Sequence, residues 1–479
     1  MLEGAGTGPG VPARLTRAAL VALIGFGLVT PSLCAQPPRT FFLVLDAIPY
    51  SAVAALQSAG KAPELFDELG SPVPLISSFP STTTVALADA LGPLGLDLSP
   101  GYEARFFDWQ EEKVRGGGAI SYFRIEFPWR SFFQWSKKSV ARSAFASLRP
   151  VGASEGRVIA ALKAFLSSDL RDFFAYIETT DTAAHLKGPS SLDAMFTDLG
   201  RAIREARAAG EDFRVVVFSD HGIDGGEPLN NVLPGIRGAL RSAGLRRVKR
   251  LVAADDVVLT PYGLVSSFEA YARGEQAPRL ARLLASVEGV EICTYRFEED
   301  VWVASAGGLA RIARRGEGAT ERWAYLPVEG DPLRYEEVVA RLQARAGPGS
   351  AGDWHPDEGW FRETRGEFFP DALRRIARGF ELVRNPATTI CSVTEGYMYG
   401  ARKTERAARI TGGRLRWTHG ALFWNASAGF LLTDVPGGIE SGPIRLSGAL
   451  RPLLSGDGQS VARARTVTAG AVTVLGSRE

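Results

Sequence analysis

Short, unbroken apolar runs alternate with amphipathic stretches along this chain. Thr40–Leu45 (TFFLVL), Phe173–Ile177 (FFAYI) and Arg214–Phe218 (RVVVF) are apolar at nearly every position, the mark of strands buried on both faces of a sheet. Ser51–Leu69, Val85–Leu91, Glu155–Leu166 and Ser191–Ala209 instead repeat their apolar residues at helical spacing. Pro80–Thr84 reads as a polar turn that opens the helix at Val85. The alternation predicts an α/β fold with a largely parallel sheet. Such sheets bind ligands beyond the carboxyl ends of their strands. Asp46, Asp181 and Asp220 each follow a predicted strand at that end, so these distant positions converge on one edge.

The long interval from Gly222 to about Gly412 has a different texture. Pro261–Ala285 and Tyr335–Ala344 read as largely helical, and Val290–Thr294 reads as a strand. The expectation is that residues 223–412 add strands to the sheet edge and build a peripheral subdomain. Gly347–Gly359, rich in Gly, Pro and Asp, reads as a loop. Ala428–Leu432 (AGFLL) is the last apolar strand, and the tail 456–479 carries little structural signal. Between Phe127 and Lys138, aromatic and basic residues interleave. That segment suits an insertion packing its aromatics onto the domain, with a membrane-resting or substrate-covering lid as the alternative.

The first 35 residues read as an export signal. Arg14 and Arg17 form a basic start, and Ala18–Val29 is an apolar run too short to span a bilayer comfortably. Leu33-Cys34-Ala35 offers a cleavage site before Gln36. Lipid attachment at Cys34 is a competing reading, disfavoured by the bulk of Leu33. An uncleaved anchor is another. No second apolar run of spanning length is present further along, so an extracytoplasmic, periplasmic or secreted, mature protein of residues 36–455 plus the tail is expected. Cys293 and Cys391 can pair in an oxidising compartment or remain as buried thiols.

Composition narrows the function classes. Net charge is +2, from 55 basic and 53 acidic residues, with no polycationic stripe, so nucleic-acid binding has no electrostatic basis. Histidine is the informative residue. The chain has four, and three stand in distinctive settings: Asp181-Thr-Ala-Ala-His185, Asp220-His221-Gly222 and Thr418-His419-Gly420. Asp181 and His185, four apart, share one face of a helix and can share a metal. A capping aspartate beside an incidental histidine is the plainer explanation. Asp220 and His221 end a buried strand, where Gly222 permits the turn. His355 lies in the loop-like stretch and is expected at the surface. Asp46, Asp220 and His221 together can hold one cation, and Asp181, His185 and His419 a second, a combination suited to zinc and to phosphoryl transfer. Phe79-Pro80-Ser81-Thr82-Thr83-Thr84 supplies hydroxyls that are either helix caps or a nucleophile in need of activation.

Taken in order, these residues resemble the alkaline phosphatase superfamily, and within it the type I phosphodiesterase/nucleotide pyrophosphatase branch. The resemblance rests on Asp46 after the first strand, Phe79–Thr83 against a Phe-Pro-Ser/Thr-x-Thr motif, Asp181 and His185, Ser219–Gly222, and His419 before a Gly-Phe strand. It implies a parallel-rich sheet sandwiched by helices. It also implies two zinc ions held by Asp46, Asp181, His185, Asp220, His221 and His419, and Thr83 as metal-contacting nucleophile. A phospho-threonine intermediate would then be hydrolysed by metal-bound hydroxide. The implied substrate is a small phosphate ester.

The chain also departs from the pattern. Asp46 precedes Ala-Ile-Pro rather than Gly-x-Arg, and Thr83 precedes Thr-Val rather than Phe-Pro-Asn. Ala88–Leu98 stands where a Thr-Gly and a His-Gly pair are expected. These departures put nucleotide specificity in question. They leave room for a non-catalytic extracytoplasmic binding protein on the same fold, or for a phosphotransferase. The sulfatase branch is disfavoured, because no Cys-x-Pro-x-Arg occurs.

Overall fold

The computed structural model describes residues 38–116, 127–136, 149–260, 265–346, 353–401, 415–437 and 442–454. The export segment, Lys137 and Lys138, residues 261–264, residues 347–352 and the tail lie outside the described residues.

Six strands form the first sheet: β1 (Arg39–Leu45), β2 (Val73–Ile76), β3 (Asp172–Ile177), β4 (Phe213–Phe218), β5 (Ala428–Thr433) and β6 (Ile444–Arg445). Their order is β6-β2-β5-β4-β1-β3. β1 runs parallel to both β3 and β4, whereas β5 is antiparallel to β4 and to β2. Register sets Leu45 beside Ile177 and Val44 beside Phe218. The three parallel strands therefore end nearly level, and the segments leaving their carboxyl ends emerge at one edge.

Helices cover both faces. The strand period of two sends Phe41, Leu43 and Leu45 into one core and Phe42 and Val44 into another. The first core is closed by α1 (Tyr50–Ser58), α2 (Pro63–Leu69), α4 (Pro150–Leu166), α5 (Thr179–Lys187) and α6 (Asp193–Ala208). The opposite core takes in α3 (Thr83–Leu91) and the aromatics Phe127, Trp129, Phe132 and Phe133. The described part of the aromatic–basic segment is thus packed onto the domain. The periodicity over Ser51–Leu69 resolves into two helices, because Gly60 adopts a left-handed φ of 65° and Pro63 starts afresh.

Residues 246–393 form a second sheet of nine strands rather than extending the first. Within it, Ser267–Tyr271 is a fully buried strand, which corrects the helical reading of Pro261–Ala285; among the described residues of that stretch, the α-helix is confined to Ala277–Ala285, after a 3-10 turn at Gly274–Gln276. The short run SFEAY pairs with Thr389–Val393, and this pairing overrides the local pattern. His355 is a second correction. It is buried, pairs with Trp323 across a strand and packs against Trp360, and Asp357–Thr364 is a helix. Cys293 and Cys391 face each other on neighbouring strands and form a disulfide.

Candidate metal centre

Four segments deliver the site. Asp46 follows β1, α5 carries Asp181 and His185 one turn apart, and Asp220 and His221 follow β4. His419 is held by a two-residue ladder in which Trp417 pairs with Gly225 and Thr418 with Asp224. A bridge from Val265 braces it on the other side. The six side chains gather into two triads, Asp46/Asp220/His221 and Asp181/His185/His419, with the ligand atoms of each within 4.8 Å of one another.

Within the first triad, His221 Nε2 lies 3.6 Å from Asp46 Oδ1 and 3.5 Å from Asp220 Oδ2. In the second, His185 Nε2 and His419 Nε2 lie 3.1 and 3.3 Å from Asp181 Oδ1. The Thr83 hydroxyl, part-buried, lies 3.2 Å from Asp46 Oδ1 and 3.3 Å from His221 Nε2. Thr83 is the first residue of α3, and no side-chain oxygen caps that helix. Its hydroxyl is turned to the acidic cluster instead of to the helix backbone.

Every imidazole is oriented by a backbone carbonyl. Nδ1 of His185 meets Trp417 O at 2.7 Å, Nδ1 of His221 meets Gly222 O at 2.9 Å, and Nδ1 of His419 meets Ser81 O at 3.1 Å. In its neutral form each ring donates from Nδ1 and directs the Nε2 lone pair at the carboxylates, the arrangement that metal-binding histidines need. Asp181 Oδ1 and Asp220 Oδ2 are buried oxygens with no hydrogen-bond partner among the described residues. Lone pairs converging on unsatisfied carboxylate oxygens repel one another unless a cation stands between them. The donor set therefore fits divalent cations of the zinc type.

Electrostatics of the cation-free side chains agree. Burial, with the charges of Asp220 and Asp181, raises Asp46 well above the usual carboxylate range. Burial pushes Asp220 up to about 7. For Asp181, burial acts upward, but a protonated His185 outweighs it with the help of the His419 ring and holds the carboxylate well down. Burial pushes His185 itself down, and the facing Asp181 raises it on balance. It is this His185 proton that a cation would displace. Burial and the neighbouring His419 lower His221, keeping it neutral. Protons are thus held where cations would otherwise sit.

Several contributors carry no sequence signal. Tyr176, on β3, donates its hydroxyl to Asp46 Oδ2. It sits inside a strand as one more aromatic, and only the pleat that aims it at Asp46 makes it part of the site. The Trp417 and Ser81 carbonyls are invisible to any motif. Ala47 adopts a left-handed φ of 59°, the conformation a glycine takes freely, and its N–H approaches Asp220 Oδ1 at 3.4 Å. The turn geometry is thereby kept without the glycine. Gly222 acts differently from the sequence reading. A Cβ there would stand 2.2 Å from Asn425 O, so close backbone approach is what demands glycine.

No family model and no curated protein matches the chain. Among solved structures, it is similar to mouse ectonucleotide pyrophosphatase/phosphodiesterase 5 in an inactive form with AMP, at 10% identity, covering 89% of this chain and 95% of that one, with a TM-score of 0.47. A second structure of the mouse protein is similar at 11% identity over 87% of this chain and 95% of that one, TM-score 0.46. The human counterpart is similar at 11% over 87% and 94%, TM-score 0.46.

Proposed function

We propose that the chain is an exported hydrolase of small phosphate esters, with Thr83 as nucleophile and two divalent cations, zinc by donor chemistry. One observation carries the reading: a threonine hydroxyl at the start of a helix lies against Asp46 and His221, with a second Asp/His triad alongside. Asp46, Asp220 and His221 would hold one ion, and Asp181, His185 and His419 the other. Bound there, the ions would supply the charge that lowers the pKa of an alcohol or water and balances phosphoryl oxygens.

The chain's own groups supply position. The Val85 and Ala86 N–H groups donate to Thr82 O, so it is the Thr83 and Thr84 N–H groups at the start of α3 that suit an anionic phosphoryl group. Thr83 would give up its hydroxyl proton as its Oγ1–P bond forms and the ester's P–O bond breaks, and the departing oxygen would take up a proton and leave as the alcohol. Water then cleaves the phospho-threonine, returning Thr83 and releasing phosphate or a phosphomonoester. Export is supported by the N-terminal signal pattern and by the Cys293–Cys391 disulfide, which suits an oxidising compartment. Among the described residues, no helix is long and apolar enough to cross a membrane.

The test is metal analysis of the purified protein together with turnover of p-nitrophenyl phosphate and bis-p-nitrophenyl phosphate. Two equivalents of metal and hydrolysis of either ester are expected, and their ratio assigns monoester or diester preference. Bound metal with neither ester turned over would replace this reading with the binding-protein one.

A further inference from the structure

Residues 419–423 join the Trp417–Thr418 ladder to the helix Trp424–Ser427, and their backbone is gripped from two sides. On one side stands the turn that carries Thr83. Ser81 N–H donates to Gly420 O at 3.1 Å, the Ser81 hydroxyl donates to Ala421 O at 3.1 Å, and Ser81 O faces His419 Nδ1 at 3.1 Å. On the other side stands the second sheet. Ser266 N–H donates to His419 O at 2.6 Å, Ala421 N–H donates to the Ser266 hydroxyl oxygen at 2.9 Å, and Leu422 N–H donates to that of Ser392 at 3.0 Å. Leu422 O in turn accepts from the buried Arg375 guanidinium at 2.9 Å.

The sheet itself fixes the two serines. Ser392 lies opposite Ser267 on neighbouring antiparallel strands, and Val393 N–H donates to Ser266 O at 2.9 Å. The loop is seated just as closely: Gly420 has a φ of 114°, and a Cβ there would stand 2.7 Å from Ser267 Oγ. Ser266, Ser392, Ala421 and Leu422 are all fully buried, so water does not reach the two loop N–H groups. Without either hydroxyl a buried donor goes unmet, which is costly enough to make the loop shift toward another acceptor. His419 begins that loop, so its ring moves with the shift. The first triad has no such dependence. Asp46, Asp220 and His221 hydrogen-bond to Thr83, Tyr176, Ala47 and the Gly222 carbonyl, all carried by segments of the first sheet and its helices.

We propose that Ser266 and Ser392 are positioning residues for His419. Their hydroxyls hold the loop so that His419 Nε2 meets Asp181, and the second sheet thereby seats one cradle of the two and not the other. The consequence for cation affinity rests on the two-cation reading; the consequence for the imidazole ring does not.

Two measurements on the full chain test this. In cation-free crystals of Ser266→Ala and of Ser392→Ala, His419 Nε2, which lies 3.3 Å from Asp181 Oδ1 in the parent protein, should be displaced by ~0.5 Å or more. In solution, zinc competition against a chelator should show the equivalent that His419→Ala loses weakened ~10–100-fold in both serine variants, with the other held within ~3-fold. Thr294→Val removes a hydroxyl of the same sheet that donates to Ile390 O at 3.0 Å and not to the loop. It should change neither readout, which separates positioning from lost stability. An unmoved ring in both serine variants overturns the proposal, as does a weakening shared by both equivalents or reproduced by Thr294→Val. Either result leaves the hydrolase reading standing. A parent protein that holds no zinc removes the hydrolase reading instead, and the ring position alone then decides this proposal.

Discussion

His221 and His419 lie ring on ring, their centroids 4.1 Å apart and their planes 25° from parallel. One belongs to each triad, so the stack is where the two halves of the centre meet. Two imidazolium rings would repel at this separation. His221 is held well below the ordinary histidine value, by burial first and by His419 next. Neutral rings are the ones that ligate.

Cation capture should release protons in a pH-dependent way. In the cation-free fold, Asp46 is raised and Asp220 is raised to about 7. Both contributions are fully present below about pH 4; that of Asp220 is lost as pH rises through about 7, and that of Asp46 as pH rises through its own raised value. Zinc must displace those protons. Calorimetric titration in buffers of different ionisation enthalpy should show more protons released at about pH 6 than at about pH 8, with affinity rising up to about pH 7 and then flattening. A release that stays constant across that range contradicts the assignment of these carboxylates as ligands.

Thr83→Ala should lower turnover of any accepted ester by at least about a thousandfold while both equivalents of metal stay bound. Metal content measured beside turnover separates loss of the nucleophile from loss of the centre. Unchanged turnover removes Thr83 from the mechanism.

Tyr176→Phe deletes the hydroxyl that Asp46 accepts from and nothing else of the ring. Outer partners of metal ligands are typically worth ~10–100-fold in affinity or activity, and a loss of that size is expected here. The ring keeps its edge contact with Trp129, so the melting temperature should move little. Competition with a zinc chelator measures the first quantity and calorimetry the second.

Cys391→Ser should destabilise the fold by about 2–4 kcal/mol, because the disulfide closes a long loop in the unfolded chain. Two equivalents of metal should still bind, since the bond joins strands of the second sheet and touches no ligand. Denaturant titration of the variant beside the parent protein gives the difference directly.

The first sheet was legible because its parallel strands are strongly apolar runs, and Asp46 and Asp220 follow directly on two of them. TFFLVL, FFAYI and RVVVF are buried on both faces, and the parallel register does the rest. The second sheet was not legible. Ser267–Tyr271 is short, contains Glu269, and becomes a strand only through partners on Thr389–Val393. His355 looked exposed because Asp353, Pro356, Asp357 and Glu358 surround it, but its strand pairing turns the ring inward against Trp360. Arg375 sat among the arginines of ALRRIARG with nothing to mark it as the buried one.

The ladder that delivers His419 also dictates an order of assembly. Asp46, Asp220 and His221 have all been synthesised once the ribosome passes the end of β4, so the first pocket can close while the second sheet is still unmade. The other pocket waits for Trp417 and Thr418 to come back and pair with Asp224 and Gly225. A nascent chain halted ahead of that return carries one finished cradle and one that lacks its final imidazole. The turn that carries Thr83 is in the same position, because the Ser81 N–H and carbonyl pair with Gly420 and His419. The pair of cradles is thus complete only once nearly the whole polypeptide has emerged.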